Sequence, residues 1–173
     1  MDMQLPDDVE SLLTSDEPAP NVPRATAYLL EYSPGHCVAF APHTGVELVE
    51  RPRVVAVPGA PYFCLGLMAW QGRQLPLLDL AQYILGQSSQ GNPPVGHVLV
   101  LAYQSAPGKA LEYGAVCAPS LISKIEVVDS QQCERQTEND VLARISLSCF
   151  EYQGQGVPIV NSASLFVQPD WLT

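Results

Sequence analysis

The residues from which this chain would have to build chemistry are five cysteines, three histidines and Asp79, which closes the apolar run "LPLLDL". The cysteines (Cys37, Cys64, Cys117, Cys133 and Cys149) are odd in number and contain no Cys-x-x-Cys pair. A disulfide framework or a zinc site calls for paired spacings. Four of the five lie in apolar strand-like runs such as "FCLGLM" and "GAVCAP", so all five are expected to be free thiols buried as small hydrophobes. A reactive thiol needs a cationic neighbour or a helix start, and the sequence sets neither beside any of them. His36, His43 and His97 are scattered, each at a strand edge or turn. A Cys–His nucleophile pair such as Cys37 with His97 is compatible with assembly in space, yet no local motif supports it. Asp79 is accounted for as a helix cap. There is no phosphate-binding glycine loop, no His-Glu-x-x-His and no nucleophile elbow. The expectation is a chain with no catalytic residue, no metal and no cofactor; a small thiol-dependent or ligand-binding enzyme on a β-barrel is the competing reading.

Charge narrows the partners. The 173 residues carry a formal net charge of −10 with only eight Lys and Arg. Phosphate backbones and anionic membrane surfaces are bound through cations, so neither nucleic acid nor a membrane surface is expected as a partner. Six acids (Asp2, Asp7, Asp8, Glu10, Asp16 and Glu17) fall in the first seventeen residues. With four prolines, residues 1–24 are expected to form a flexible arm, in which "VESLL" has the pattern of a short helical turn. No basic region precedes an apolar one at the N-terminus, as a secretory signal requires, and no run approaches the ~20 apolar residues of a membrane helix. A cytoplasmic protein without direct membrane insertion is the expectation.

What must position any functional side chain is β-structure. "TAYLLEY" and "HCVAFA" flank the turn signal "SPG", "RVVAV" follows, and "FCLGLMAW" and "RQLPLLDL" flank Gln71-Gly72. "HVLVLAY" and "LEYGAVCA" flank "QSAPGK", "LISKIEVV" alternates, and "RISLSCFEY" and "GVPIV" flank Gln153-Gly154. About ten short strands with turn signals between them indicate an all-β barrel or sandwich. One phrase is written twice: "WQGRQLPLLDL" at Trp70–Leu80 returns as "YQGQGVPIVNS" at Tyr152–Ser162, 82 residues later. Each copy has an aromatic strand end, a Gln-Gly turn, a return strand carrying Pro76 or Pro158, and then Asp79 or Asn161. The turn glycine supplies a positive φ. The proline removes a ladder donor and belongs at an edge or beside a bulge. Asp79 and Asn161 are N-caps for short helices over "LAQYILG" and "SASLFVQ". Two small barrels, each closed by such a hairpin and plugged by a helical turn, would produce the repeat. Trp70, Leu75 and Leu77 are expected in the core, and Gly66 at a close approach between strands.

The stretch "VPGAPYFCLGLMAWQGRQLPLLDL" (Val57–Leu80) resembles the signature of the CheW family of bacterial chemotaxis coupling proteins. That signature runs approximately V-P-x-A-P-x-x-x-x-G-h-x-x-x-R-G-x-x-h-P-h-x-D-L, with h apolar. Val57, Pro58, Ala60, Pro61, Gly66, Gly72, Pro76, Asp79 and Leu80 are in register with it. "VLVLAY…YGAVCAPSLISKIEV" and "GVPIVNSASLF" are similar to the family's second half, so the resemblance spans residues 25–168, with 169–173 as a tail. It implies two interlocked five-stranded SH3-like barrels with short capping helices, and a non-enzymatic adaptor. The implied partners are the regulatory domain of a CheA-type histidine kinase and the cytoplasmic tips of methyl-accepting chemoreceptors, with recruitment to receptor arrays; related modules serve type IV pili. The family's Arg before the turn glycine, implicated in receptor binding, is Gln71 here. The Asn two residues earlier is Ala69, and a common Val-Asp pair is Cys117-Ala118, followed by Pro119. Gln cannot reproduce the five-donor fork of Arg, which marks a divergent member, of an alternative chemosensory or pilus-linked system. The resemblance implies protein-binding residues on the first unit: Val46, Glu47, Gly66, Met68, Gln71 and Gly72, with Glu47 at an acidic position common in the family.

Overall fold

The computed structural model describes residues 24–86, 96–119, 123–134 and 139–167. The expected arm, apart from Arg24, and the expected tail lie outside them. Among the described residues the chain runs β1 (Arg24–Ser33), β2 (His36–Phe40), β3 (Gly45–Glu50), β4 (Val54–Val55), β5 (Cys64–Trp70), β6 (Arg73–Asp79), α1 (Leu80–Leu85), β7 (His97–Gln104), β8 (Leu111–Cys117) and β9 (Ser123–Val128). A 3-10 turn (Asp129–Gln131), α2 (Asp140–Ile145), β10 (Ser146–Tyr152), β11 (Gln155–Val160) and α3 (Ser162–Phe166) complete it. The strands form two curled sheets, one ordered β10-β11-β2-β1-β9 and the other β3-β7-β8-β6-β5-β4. This is the mainly β, two-barrel architecture expected from the sequence.

The repeated phrase maps onto equivalent hairpins. Gln71 and Gln153 have φ of 45° and 50°, and the glycines after them 72° and 77°. Two consecutive left-handed residues make the tight turn whose twist matches that of paired strands. The equivalence extends to irregularities: β5/β6 shifts register between Cys64 and Gly66, and β10/β11 shifts between Ser146 and Ser148, 82 residues on. Pro76 and Pro158 each lie one residue before a parallel ladder begins, at Leu77↔Ala115 and Ile159↔Ala39, next to these bulges. Asp79 then caps α1, accepting from the Ala81 and Gln82 amides at 3.0 and 3.3 Å, and Asn161 caps α3 through the Ala163 amide at 3.2 Å.

Strand for strand, β9, β1, β2, β11 and β10 of one sheet correspond to β3, β7, β8, β6 and β5 of the other. The second barrel (β3–β8) is therefore continuous in sequence. The first takes β1 and β2 from the start of the described chain and β9–β11 from its end, so the barrels interlock. Alternation fills three cores. Met68, Trp70, Leu75, Leu77, Val98 and Val100 fill the β3–β8 barrel, and Ala27, Leu29, Ala39, Phe150 and Val157 fill the other. The intervening residues Leu30, Val38, Phe40, Leu78, Leu99 and Val116 meet between the barrels, with α1–α3 packed around them. Strands buried on both faces read as continuous apolar runs, which explains "HVLVLAY".

One expectation is corrected. Cys133 and Cys149 form a disulfide, with Cα atoms 5.6 Å apart, and only Cys37, Cys64 and Cys117 are free. The Cys133 amide donates to the Cys149 carbonyl at 3.2 Å, and Gln132 bridges Phe150. Antiparallel neighbours fall within disulfide reach, and that neighbourhood is set by barrel closure, which cysteine spacing in the sequence does not encode.

Candidate protein-binding surface

The residues expected to contact partners lie on two segments 19 or more positions apart, both within the β3–β8 barrel. Val46, Glu47 and Leu48 lie on β3, an end strand of the sheet order that, among the described residues, pairs only with β7. The β3/β7 register shifts between Gly45 and Glu47, which places Val46 in a bulge, a device that re-aims a side chain. Val46 and Leu48 are 44% and 45% exposed, so this strand carries apolar residues outward. Gly45 is needed beneath it: a Cβ there would lie 2.3 Å from the Tyr28 ring of β1, where the two barrels meet.

The link to the Gln71 hairpin is a side-chain hydrogen bond. Trp70 is buried, and its indole N–H donates to Glu47 Oε2 at 2.7 Å. A charge-assisted bond of that length holds both partners in one geometry. Trp70 in turn packs against Tyr113, with ring centroids 5.1 Å apart, and the Arg73 guanidinium lies 5.0 Å from the Tyr113 ring centre. The result is a surface of two exposed aliphatic side chains, one anchored carboxylate, the exposed turn Gln71-Gly72 and a guanidinium held over an aromatic face.

Gly66 and Met68 have a different place. Met68 is fully buried among Trp70, Leu75 and Val98, so it packs the barrel and presents no surface. Gly66 is buried with φ +139°, and a Cβ there would lie 2.2 Å from the Val55 carbonyl oxygen. Its role in this structure is to let β4 lie close against β5. Leu48 and Arg73, by contrast, were not singled out from sequence. In "GVELVE" apolar Val46 and Leu48 are exposed together with Glu47 and Glu50, so burial does not follow the alternation of the sequence.

Among the described residues nothing comparable gathers around the thiols. His97 pairs with Glu50 across β7 and β3, at 3.3 Å, while Cys37 lines a cavity of the other barrel beside Tyr32 and His36. Burial raises the Cys37 thiol, with Glu31 adding to it, and also raises that of Cys64. Cys117 is pushed up to about 12, chiefly by burial and further by the Asp79 carboxylate. All three are thiols at neutral pH, whereas the thiolate is the nucleophile. Among the described residues no cluster of His, Cys, Asp and Glu is placed to hold a metal ion, and no helix is long and apolar enough to cross a membrane.

Comparison with known proteins bears on the fold and the family. The family model of the CheW-like domain matches residues 45–170. No curated protein sequence matches. Among solved structures, the scaffolding protein TtCheW from Thermoanaerobacter tengcongensis superposes with a TM-score of 0.67 at 12% identity, covering 84% of this chain and 94% of that one. The family model starts at β3 and takes in the whole β3–β8 barrel together with β9–β11, and on that match the chain belongs to the CheW-like domain family.

Proposed function

We propose that this protein is a non-enzymatic adaptor of bacterial chemosensory signalling, joining a CheA-type histidine kinase to the cytoplasmic tips of chemoreceptors. Its place would be in the cytoplasm, at membrane-associated receptor arrays. The observation that carries the reading is the surface built by β3 and the Gln71 hairpin: exposed Val46 and Leu48 beside a Glu47 carboxylate fixed by Trp70. Aliphatic contact beside an oriented charge suits a small, transient protein interface. Membership of a family that includes a scaffolding protein supports it, as do three free thiols held in their neutral form. Val46, Glu47, Gln71 and Gly72 are the proposed contacts, with Leu48 beside them.

A second reading stays within the same class. Gln71, Ala69 and Cys117-Ala118 depart from the family pattern, which favours a divergent member serving an alternative chemosensory or type IV pilus system. The test is a pair of substitutions measured by titration calorimetry against a receptor-tip fragment. Gln71→Arg restores a forked donor and should tighten binding to a conventional tip, while Val46→Lys should weaken it by about tenfold or more, roughly 1.4 kcal/mol. Affinities unchanged in both, with melting temperatures intact, would show that receptors do not engage this surface.

A further inference from the structure

The interlocked symmetry exposes one position where the two barrels are closed by different means. In the β3–β8 barrel, β4 pairs with β5 through Val54↔Met68 and Val55↔Leu67, and the Ala69 amide adds a bond to the Arg53 carbonyl at 3.3 Å. The equivalent segment of the other barrel is Gln132-Cys133, which follows β9 as β4 follows β3 and lies against β10 as β4 lies against β5. There the pairing is thinner: one bridge, Gln132↔Phe150, the Cys133 amide on the Cys149 carbonyl, and Gln131 Nε2 donating to the Glu151 carbonyl at 3.0 Å. Where one barrel has the pair Val55↔Leu67, the other has the Cys133–Cys149 disulfide. Behind this seam lies a cavity of about 370 Å³ whose wall includes Ala25, Val127, Gln132, Cys149, Phe150 and Ile159.

We propose that the Cys133–Cys149 disulfide is a reducible clasp on the seam of this barrel, holding it closed until a dithiol reduces it and loosens the seam. The sulfurs are not equally reachable: Cys133 is half-buried and Cys149 is buried. A thiolate of the dithiol attacks Cys133 Sγ, the S–S bond breaks, and Cys149 leaves and takes a proton. The second thiol of the reductant then displaces Cys133 from the mixed disulfide, so two protein thiols form as the dithiol becomes a disulfide. The bond closes a short loop, 16 residues in sequence separation. Its loss leaves residues 129–134 held by those three contacts, by the Val128 amide donating to Gln131 Oε1 at 2.9 Å and by the contact of Cys149 Sγ with the Glu134 carbonyl at 3.3 Å, while the β5/β6 hairpin of the other barrel has no share in the change. A covalent tie on a seam with so little backbone pairing sets the local opening equilibrium rather than the global one.

The experiment has two linked readouts. Protein purified without reductant, denatured and treated with iodoacetamide should be alkylated at Cys37, Cys64 and Cys117 only, and at all five cysteines after dithiothreitol. Hydrogen exchange followed by mass spectrometry should then show peptides over 129–134 and 146–152 exchanging about tenfold faster or more on reduction, with 64–79 unchanged. Cys133→Ser, at a half-exposed site, should exchange like the reduced protein with or without dithiothreitol. Five alkylated cysteines before reduction, exchange that ignores reduction, acceleration over the whole molecule, or a Cys133→Ser protein that keeps the oxidised protection would each overturn the proposal.

Discussion

Substituting Gly66 by alanine should be among the most damaging single-methyl additions this chain can receive, for two additive reasons. With φ at +139° the backbone lies where side-chain-bearing residues are strained by about 2 kcal/mol. The new Cβ would also stand 2.2 Å from the Val55 carbonyl oxygen and 2.8 Å from the Val55 carbonyl carbon. Neither atom belongs to a side chain that can swing away, so β4 has to move as backbone. β4 holds to β5 by just two residue pairs, Val54↔Met68 and Val55↔Leu67. Losing both, at about 1 kcal/mol each, brings the total to roughly 4 kcal/mol. For a chain of this size that lowers the melting temperature by on the order of 10 °C. The control is Gly72→Ala in the same hairpin, with φ +72° and no atom within 4 Å of the added Cβ; only the left-handed penalty of about 1 kcal/mol applies there. Urea unfolding of the three proteins, with the slopes compared for constancy, separates the terms. If Gly66→Ala costs no more than Gly72→Ala, the close approach of β4 to β5 is not what this glycine is for, and a direct contact with a partner becomes its better explanation.

Two further outcomes are expected. The Cys117 thiol, raised by burial and by Asp79 to about 12, stays protonated in the folded protein after the unfolded chain has ionised near the ordinary thiol value. The unfolded state then binds fewer protons, so stability is full below about pH 9 and falls from there towards pH 12, by up to ~1.4 kcal/mol per pH unit. Cys117→Ala should flatten this alkaline limb in denaturant unfolding at pH 8–11, and an unchanged slope would mean that the thiol ionises freely in the fold. Deletion of residues 1–22 should leave the melting temperature nearly unchanged, whereas a drop of many degrees would mean that this segment packs on the barrels.

Much of this architecture is visible in the sequence because local chemistry agrees with it. The two Gln-Gly turns, the caps at Asp79 and Asn161, and the stripe Trp70, Leu75 and Leu77 all depend on residues within a few positions of one another. What escaped depends on contacts across the chain. β1 and β2 are legible as a hairpin, yet they complete a barrel with β9–β11, and no hairpin signal encodes pairing across more than a hundred residues. β3 has no pattern to betray it, because Val46 and Leu48 are exposed along with Glu47 and Glu50. α2 was hidden in "NDVLARIS", where six residues form a helix under the cap of Asn139, whose amide also donates to the Ile84 carbonyl at the end of α1. At the candidate surface, Val46, Glu47, Gln71 and Gly72 are exposed, and the Trp70–Glu47 hydrogen bond ties β3 to the Gln71 hairpin. Met68 is buried, because strand alternation sends it inward with Trp70. The disulfide was the least legible feature, since β10 and residues 132–133 become neighbours only when the barrel closes.

The adaptor reading is tested most directly by asking whether one molecule of this protein holds two partners at once. Analytical ultracentrifugation of the full chain mixed with a CheA-type regulatory domain and a chemoreceptor-tip fragment should show a species containing all three, and Val46→Lys should release the receptor fragment while the kinase domain stays bound. Three species sedimenting independently at concentrations of tens of micromolar, in the range where transient signalling contacts form, would contradict it.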